Sequence, residues 1–264
     1  MINTGEVNEL LVKLKLIERR DSQEMVCLYH KSEVIQSVGF KGKEYDSLPI
    51  GTNLSAIAAY AYNGNLKPLE SMVNLVGIMK AGVYDKSDVY INGIGYSVKS
   101  LQAAPPALVN HTARDGWERA CLYVNENISE LDEIIREYWE KRCNGVITED
   151  VRNSNVLSPF RNHKEYLINI LNYFLFRGSG SRISPSPAEY ILEFDNPLNT
   201  NTWAVYKDEY LDKFWDNLIF SLRSNKGMGN YPNIKNPIKK ASMAKWTVLY
   251  EGAYKGALHV RVGK

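Results

Sequence analysis

Apolar residues recur every three or four positions in several stretches of the chain, which is the spacing of one face of an α-helix. In the clearest stretch, residues 129–142, the side chains of Leu131, Ile134, Ile135 and Tyr138 fall on one face. The same spacing predicts helices at residues 5–20, 53–62, 65–81, 114–124, 129–142, 163–176 and 208–223.

Alternating segments rich in β-branched and aromatic residues predict strands elsewhere. Two of them, 88–92 and 95–101, flank Asn92-Gly93. This dipeptide favours the tight turn of a β-hairpin. The other predicted strands are 190–194, 202–206, 246–250 and 257–262, and the predicted loops are 144–158 and 225–240.

A change of composition near residues 145–160 predicts a boundary within the chain. We therefore expect an α/β protein in two parts. Residues 1–150 are expected to form a mixed β-sheet flanked by helices, and residues 151–264 a C-terminal mixed α/β region.

The predicted hairpin brings three polar residues together. Asp88 opens its first strand, and Ser97 and Lys99 lie two positions apart on the second. Alternate residues of a strand share a face, and the hairpin folds that face back towards Asp88. An Asp can hold Mg²⁺, the metal polarises a scissile phosphate, and a Lys stabilises developing charge. The spacing predicts phosphodiester hydrolysis. The alternative interpretation is that Asp88 and Lys99 form only a surface salt bridge. Asp85 is a rival to Asp88 for the role of the carboxylate.

The pattern Ser87-Asp88 followed by Ser97-Val98-Lys99 resembles the PD-(D/E)-x-K signature of a nuclease superfamily. The chain departs from that signature at Ser97, where the family has a second carboxylate. The resemblance implies a restriction-endonuclease-like core in which Asp88 and Ser97 bind the metal and Lys99 assists hydrolysis. The catalytic role would then fall to residues 1–150 and the recognition role to residues 151–264.

A looser similarity extends from about residue 68 to the end of the chain. Over this range the chain is similar to small type II restriction endonucleases that act as monomers on four-base GC-rich palindromes. The segments that carry it are 128–138, 183–194, 239–246 and 251–260. In this superfamily the helix before the hairpin often contributes a Glu, which implies Glu70 as a further catalytic and metal-binding residue. A solvated helix residue is the alternative for Glu70.

The resemblance implies a Mg²⁺-dependent enzyme that cuts double-stranded DNA at a short specific sequence. Such an enzyme belongs to a restriction-modification system, beside a cognate DNA methyltransferase, and is expected to act as a monomer, although a dimer stays open. Two alternatives are a repair or structure-specific nuclease of the same superfamily and a non-catalytic DNA-binding protein with a degraded nuclease fold. The loss of the acid at Ser97 motivates the second alternative.

Charge is distributed unevenly, although the net charge is only +2. Residues 225–264 hold eight Lys or Arg and a single acid, Glu251. Basic side chains contact phosphates, polar ones reach base edges, and glycines let the backbone approach a groove. The predicted DNA-binding residues are Ser100, Gln102, His111, Arg114, Arg177, Ser179, Ser181, Arg182, Lys235, Lys239, Lys240, Ser242 and Lys245. Each of these segments also has an interpretation without DNA, in which residues 110–114 cap a helix, residues 177–182 form a flexible linker, and the residues after 225 form a solvated tail.

The sequence also lacks several motifs that are typical of other classes of protein. The chain has no apolar run near 20 residues and no signal-peptide layout at its start, so we expect no membrane span and a cytoplasmic location. Its three cysteines lack metal-ligand spacing and indicate reduced thiols. No phosphate-loop motif is present, and no Ser-His-Asp triad is apparent.

Overall fold

The chain folds into two compact units in the computed structural model, which describes residues 3–102 and 107–263 apart from the side chain of Lys226. Unit 1 comprises Met1–Ala104 and Ser184–Asp208, and unit 2 comprises Pro105–Ile183 and Glu209–Lys264. The boundary predicted near residue 150 therefore falls inside unit 2, and unit 1 is built from two separate stretches. The assignment of catalysis and recognition to the two parts of the chain stays a prediction.

The described residues of unit 1 form three α-helices, of which the first is the longest. Asn3 caps it: its side chain accepts a hydrogen bond from the backbone of Glu6, whose carboxylate bonds back to the Asn3 N–H. This capping box satisfies two backbone donors that a helix start leaves unpaired. The helices are α1 (Thr4–Ser22), α2 (Leu54–Tyr62) and α3 (Lys67–Leu75). The helix predicted over 65–81 ends early at Leu75, because Gly77 follows in the left-handed region with φ of 70°.

A six-stranded mixed sheet forms the centre of unit 1, in the order β10-β9-β6-β5-β3-β4. Only β6 and β9 pair in parallel; the other neighbours are antiparallel. The strands are β1 (Met25–Leu28), β2 (Lys31–Val34), β3 (Val38–Phe40), β4 (Lys43–Glu44), β5 (Val89–Ile91), β6 (Ile94–Ser100), β9 (Tyr190–Phe194) and β10 (Trp203–Tyr206). β1 and β2 form a separate hairpin. β1 to β4 were not predicted from the sequence.

The predicted hairpin is confirmed as β5 and β6. Asn92 and Gly93 have φ of 50° and 79°, so both turn residues occupy the left-handed region. This is the requirement of a type I′ turn, whose twist matches the flanking strands. One face of the hairpin, with Val89 and Tyr96, belongs to the apolar core of unit 1, which also holds Leu11 and Leu192. Asp88, Ser97 and Lys99 lie on the opposite face.

Unit 2 has a four-stranded antiparallel sheet in the order β7-β14-β11-β8. These strands are β7 (Ala107–Thr112), β8 (Val151–Arg152), β11 (Leu218–Arg223) and β14 (Ala257–Val262), with a small hairpin of β12 (Val248–Tyr250) and β13 (Ala253–Lys255). The helices are α4 (Arg114–Tyr123), α5 (Ile128–Cys143), α6 (Lys164–Asn172), α7 (Lys226–Gly229) and α8 (Pro237–Ala244). A π-helical turn, Tyr173–Arg177, continues α6. Trp117 packs between Phe174 and Trp246, with ring centroids 4.8 and 6.4 Å away.

Two predictions for the C-terminal part were wrong. The helix expected over 208–223 is a 3₁₀ helix at Asp208–Asn217 followed by β11. β11 pairs on both sides, with β8 and β14, and this pairing overrides the local helical spacing. The loop expected over 225–240 contains α7 and the start of α8, which Asn225 and Asn236 cap through their side chains.

The described residues include no helix that is both long and apolar enough to span a membrane. All three cysteines are free thiols: Cys27 and Cys143 are exposed and Cys121 is buried. Burial raises the pKa of the Cys121 thiol to about 11.

Candidate active site

Asp88 is held by its own hairpin. Its backbone N–H donates to the Tyr96 carbonyl at 2.8 Å. Its carboxylate Oδ2 accepts a hydrogen bond from the Val98 N–H at 2.7 Å and one from the Ser97 Oγ at 3.2 Å. The structure thus brings together two of the predicted residues, Asp88 and Ser97. Both donors are neutral, so they fix the carboxylate without cancelling its charge.

The strand register places four residues on one face of the sheet. Val89 pairs with Tyr96, so Asp88 faces Ser97 across the hairpin, and Lys99 lies two positions further on. In the parallel pairing of β6 with β9, Lys99 is opposite Glu193. Paired residues of adjacent strands project to the same side of a sheet. Asp88, Ser97, Lys99 and Glu193 therefore share a face.

Sequence reasoning missed Glu193. Its side chain is only 4% exposed. Carboxylates are rarely buried without a partner or a functional reason. The available signal was an acid within the otherwise apolar strand Tyr190–Phe194.

Lys86 is a second residue that sequence reasoning missed. It is half-buried, and its backbone N–H bonds to the Ser186 carbonyl at 2.9 Å and to the Ser184 Oγ at 3.2 Å. Burial, together with the positive charge of Lys99, lowers the pKa of Lys86 to about 8, although the negative charge of Asp88 opposes the shift. The Lys86 ammonium therefore lies within electrostatic range of both Lys99 and Asp88.

Asp85, the rival carboxylate, is bound by two other groups of unit 1. Its Oδ2 accepts hydrogen bonds from the Gly82 N–H at 2.6 Å and from the Lys41 ammonium at 2.8 Å, and its side chain is 1% exposed. Burial alone would raise the pKa of Asp85, but the bonds from Lys41 and Gly82 hold it below its usual value. These contacts favour Asp88 as the residue that is free to bind a ligand.

Glu70 lies in the first turn of α3 and is exposed. It lines a cavity of about 370 Å³ together with Glu6, Glu9 and Lys80. Within residues 3–102 and 107–263, no recorded contact joins Glu70 to Asp88, Ser97 or Lys99. The role of Glu70 as a metal ligand stays a prediction.

Glu9 on α1 is another carboxylate with a connection to Asp88. Burial raises the pKa of Tyr45, and the negative charges of Glu9 and Asp88 both add to that shift. The two carboxylates thus lie within electrostatic range of one phenol. Glu9 also accepts a hydrogen bond from the fully buried Lys13 ammonium at 2.7 Å.

The donor set around Asp88 suits a hard cation. Mg²⁺ takes oxygen ligands, keeps several waters and is commonly held by one or two carboxylates. Asp88 and the Ser97 hydroxyl supply such oxygens, and Glu193 lies on the same face. No group of three or more His, Cys, Asp or Glu side chains that could hold a metal is found in the described part of the chain. The residues present fit a magnesium site with few protein ligands.

Two predicted DNA contacts lie beside the hairpin. The Ser100 Oγ accepts hydrogen bonds from the Asn8 amide at 3.5 Å and from the Gln102 N–H at 3.3 Å. The exposed Gln102 amide donates to Asp195 at 3.3 Å. Gln102 lies at the surface directly after the strand that carries Lys99.

Arg114, another predicted DNA contact, is only 4% exposed. Its Nε and Nη2 donate to the two carboxylate oxygens of Asp132 at 2.6 and 2.8 Å, and its Nη1 donates to the Ser242 hydroxyl at 2.7 Å. The Trp246 indole N–H also donates to Asp132, at 2.8 Å. Arg114 and Ser242 hold unit 2 together, and this placement argues against the predicted phosphate contact by Arg114.

His111 does not open a helix as expected but lies in strand β7. Its ring packs against His259 with centroids 4.7 Å apart. Its Nε2 and the His259 Nδ1 are buried without hydrogen-bond partners among the described residues. His111 therefore faces another side chain of its own unit.

The glycine-serine segment 177–182 is packed against α4. A Cβ added at Gly180 would lie 2.5 Å from the Thr112 side chain and 3.4 Å from the Gly116 Cα. The Tyr173 hydroxyl donates to the Ser179 carbonyl at 3.1 Å, and the Ser179 and Ser181 hydroxyls lie 3.0 Å apart. These contacts argue against a flexible linker. Arg177 and Arg182 are the end residues of this segment, and Arg182 is exposed.

The predicted lysines near α8 differ in how they are neutralised. Lys245 pairs with Asp132 at 3.0 Å, whereas Lys239 lies 3.8 Å from Asp115. The Lys240 ammonium donates to the Pro232 carbonyl at 3.0 Å, and Lys235 is exposed. Among the described residues, Lys235, Lys239 and Lys240 are therefore less closely paired with carboxylates than Lys245 is.

Comparisons with protein-family models, with curated proteins and with solved structures return no match to this chain. Support for a function therefore comes from the geometry and chemistry of the site.

Proposed function

We propose that this chain is a type II restriction endonuclease that hydrolyses double-stranded DNA at a short specific sequence with Mg²⁺. The proposal includes a restriction-endonuclease-like core around the mixed sheet of unit 1 and a recognition role for the basic C-terminal region. It also includes a cytoplasmic location, action as a monomer and pairing in the cell with a cognate DNA methyltransferase.

One observation carries the proposal: a carboxylate fixed by neutral donors shares a sheet face with a lysine. Ser97 and the Val98 N–H bind the Asp88 carboxylate as neutral donors, and no cationic side chain of the described residues forms an ion pair with it. Lys99 projects from the same face of β6. A carboxylate for a metal and an ammonium for a phosphate are the two groups that phosphodiester hydrolysis needs.

Asp88 and Ser97 would hold Mg²⁺, which when bound would supply positive charge to polarise the scissile phosphate and activate water. The chain's own residues have separate tasks. Ser97 and Val98 orient the Asp88 carboxylate, and the Lys99 ammonium binds a phosphate oxygen, where negative charge grows as water attacks phosphorus. The water oxygen forms a bond to phosphorus, the bond to the leaving oxygen breaks, and that oxygen takes up a proton.

The test is a plasmid digest with Mg²⁺, run beside Asp88→Ala and Lys99→Ala. Lys80→Ala is the matched control, because Lys80 is an exposed lysine of unit 1 already paired with Glu6. We expect the wild type and the control to give discrete fragments, and the two site variants to give none. Cleavage that persists in both site variants would overturn the site.

The same digest separates the alternatives. Cleavage at branches or flaps without fixed fragments would indicate a repair or structure-specific nuclease of the superfamily. Binding in a gel shift without cleavage of any DNA would indicate a non-catalytic DNA-binding protein, for which the replacement of the acid by Ser97 is the motivating observation.

A further inference from the structure

The sheet of unit 2 is irregular at one point, where β7 pairs with β14. The register shifts there, so that two residues of β7, Asn110 and His111, oppose the single residue His259 of β14. This is a β-bulge, a feature that re-aims side chains and is common beside functional sites. His111 also has φ of 35°, in the left-handed region, which is an uncommon and strained conformation for a residue with a side chain. The backbone is therefore distorted at the residue whose ring packs against His259.

The two imidazole rings meet inside unit 2, and each has a ring nitrogen without a partner. Their centroids are 4.7 Å apart and their planes are tilted by 34°. His259 is only 6% exposed. The His111 Nε2 and the His259 Nδ1 are buried, and neither forms a hydrogen bond among the residues that the structure describes. A buried polar atom without a partner lowers the stability of a fold, so two such atoms on adjacent rings indicate a ligand.

The same face of the sheet carries further polar side chains. Ser221 pairs with His259 in the register of β11 with β14. Arg223 and Arg261 lie two positions from these residues on the same strands, so they project to the same side. The Asp150 carboxylate accepts hydrogen bonds from Arg223 at 2.8 Å and from Arg261 at 2.7 Å. It offsets part of the positive charge that would otherwise repel a cation bound nearby.

We propose that His111 and His259 bind one Zn²⁺ ion between them, through the Nε2 of the first and the Nδ1 of the second. Imidazole nitrogens suit Zn²⁺, Ni²⁺ and Cu²⁺, whereas Mg²⁺ takes oxygen ligands, so this site differs in chemistry from the one at Asp88. Two imidazoles that bind one ion at about 2.1 Å have ring centroids roughly 5 Å apart, which agrees with the separation of these rings. The ion joins β7 to β14 across the bulge, where the ladder of backbone hydrogen bonds is interrupted. The site lies within unit 2 and does not depend on the proposed function.

Thermal unfolding with Zn²⁺ tests the site. All proteins carry Cys27→Ser and Cys143→Ser, because these exposed thiols can also bind Zn²⁺. Excess Mg²⁺ is present throughout, so that sites with oxygen ligands are occupied. We expect free Zn²⁺ at about ten times its dissociation constant to raise the melting temperature of the otherwise wild-type protein by about 3–5 °C.

Two variants should lose this rise in melting temperature. They are His259→Gln and His111→Asn, and asparagine is chosen because it tolerates the left-handed conformation of residue 111. The matched control is His163→Gln, which removes another imidazole of unit 2 and should keep the rise, because His163 already pairs with Glu130 at 2.9 Å.

Cu²⁺ supplies a second readout that does not depend on stability. The electron paramagnetic resonance spectrum of the Cys-free-surface protein with one equivalent of Cu²⁺ should show splitting by two imidazole nitrogens. His163→Gln should give the same spectrum. His111→Asn and His259→Gln should each lose the two-nitrogen pattern.

Three outcomes would overturn the zinc site. The first is a melting temperature that does not rise with Zn²⁺ in the protein with both imidazoles. The second is a rise that persists in both folded imidazole variants, which would place the ion elsewhere. The third, which applies even if neither variant folds, is a Cu²⁺ spectrum without two nitrogens in the protein that keeps His111 and His259. None of these measurements uses DNA, so the zinc site and the nuclease stand or fall separately.

Discussion

The hairpin of unit 1 and the α4–α5 region of unit 2 both place a cation near an aspartate, yet they treat its charge in opposite ways. In unit 2, Asp132 is bound by Arg114 at both oxygens and also pairs with Lys245. In unit 1, Asp88 is bound only by neutral donors, and the lysines beside it make no ion pair among the described residues. The complete pairing of Asp132 with cationic side chains indicates a structural role for that carboxylate. The Asp88 carboxylate has no such partner and is available to a ligand, which indicates a functional role.

The largest expected effect is on catalysis, and it tests whether the Asp88 carboxylate of unit 1 has a functional role. Asp88→Asn keeps the shape and the hydrogen-bond acceptor but removes the charge for Mg²⁺. We expect the rate of DNA cleavage to fall by about a thousandfold, or about 4 kcal/mol. Single-turnover cleavage of plasmid DNA measures it. Asp85→Asn is the control: it should lower stability, because it weakens the pair with Lys41, and yet retain cleavage when folded. Equal losses of cleavage in the two folded variants would contradict the assignment.

The next effect is on the stability of unit 2. Asp132→Ala leaves the guanidinium of Arg114 buried without its bidentate partner. We expect the free energy of unfolding to fall by about 3 kcal/mol. Urea denaturation measures this change. Glu118→Ala, which removes the exposed partner of Arg114, should cost less than about 1 kcal/mol. If Asp132→Ala lowered the free energy of unfolding only slightly, the structural role assigned to Asp132 would be contradicted.

The third effect is the pH dependence of stability in unit 2. Burial, together with the neighbouring His111, Arg223 and Arg261, lowers the pKa of His259 to about 4. The unfolded chain then binds more protons between about pH 6.5 and pH 4, so stability is full above pH 6.5 and falls as the pH drops through that window. With allowance for solvent screening, the loss is about 2 kcal/mol.

Denaturation curves at pH 7.5 and pH 4.5 check this expectation. His259→Gln, which is neutral at both values, should lose less stability between them than the wild type. An equal loss in both proteins would assign the acid sensitivity to other groups.

The smallest effect concerns two lysines of unit 2 that have no close carboxylate partner among the described residues. Lys239 has one distant carboxylate neighbour, and Lys240 bonds only a carbonyl. If they contact phosphates, Lys239→Ala with Lys240→Ala should weaken DNA binding by about tenfold, or about 1.4 kcal/mol, and reduce the salt slope by about two. Binding titrations at several salt concentrations measure both quantities. Lys164→Ala, an exposed lysine paired with Asp212, serves as the control and should bind as the wild type does.

The parts of the fold that could be predicted are those fixed by local physics. The hairpin over 88–101 is specified by its alternation and by Asn92-Gly93, whose left-handed conformation needs those residue types. α5 is specified by its apolar face. By contrast, β11 is a strand because β8 and β14 bond it on both edges, and no neighbour in sequence reveals that.

The candidate site divides in the same way. The spacing of Asp88, Ser97 and Lys99 could be read from the hairpin. Glu193 comes to the site only through the parallel pairing of β9 with β6, and Lys86 is distinguished by burial and missing partners. The burial of Arg114 could not be read from the sequence, because its partner Asp132 is 18 residues away on another helix.

The discontinuous chain path of unit 1 has a consequence for biosynthesis. Strand β6 ends at Ser100, and its parallel neighbour β9 begins only at Tyr190. At ordinary rates of translation the ribosome takes roughly 5–20 s to add the intervening residues. During that interval one edge of β6 has no strand to bond, and Lys99 lacks Glu193 beside it. A nascent chain therefore carries an unfinished site, which is completed only after most of the polypeptide has been made.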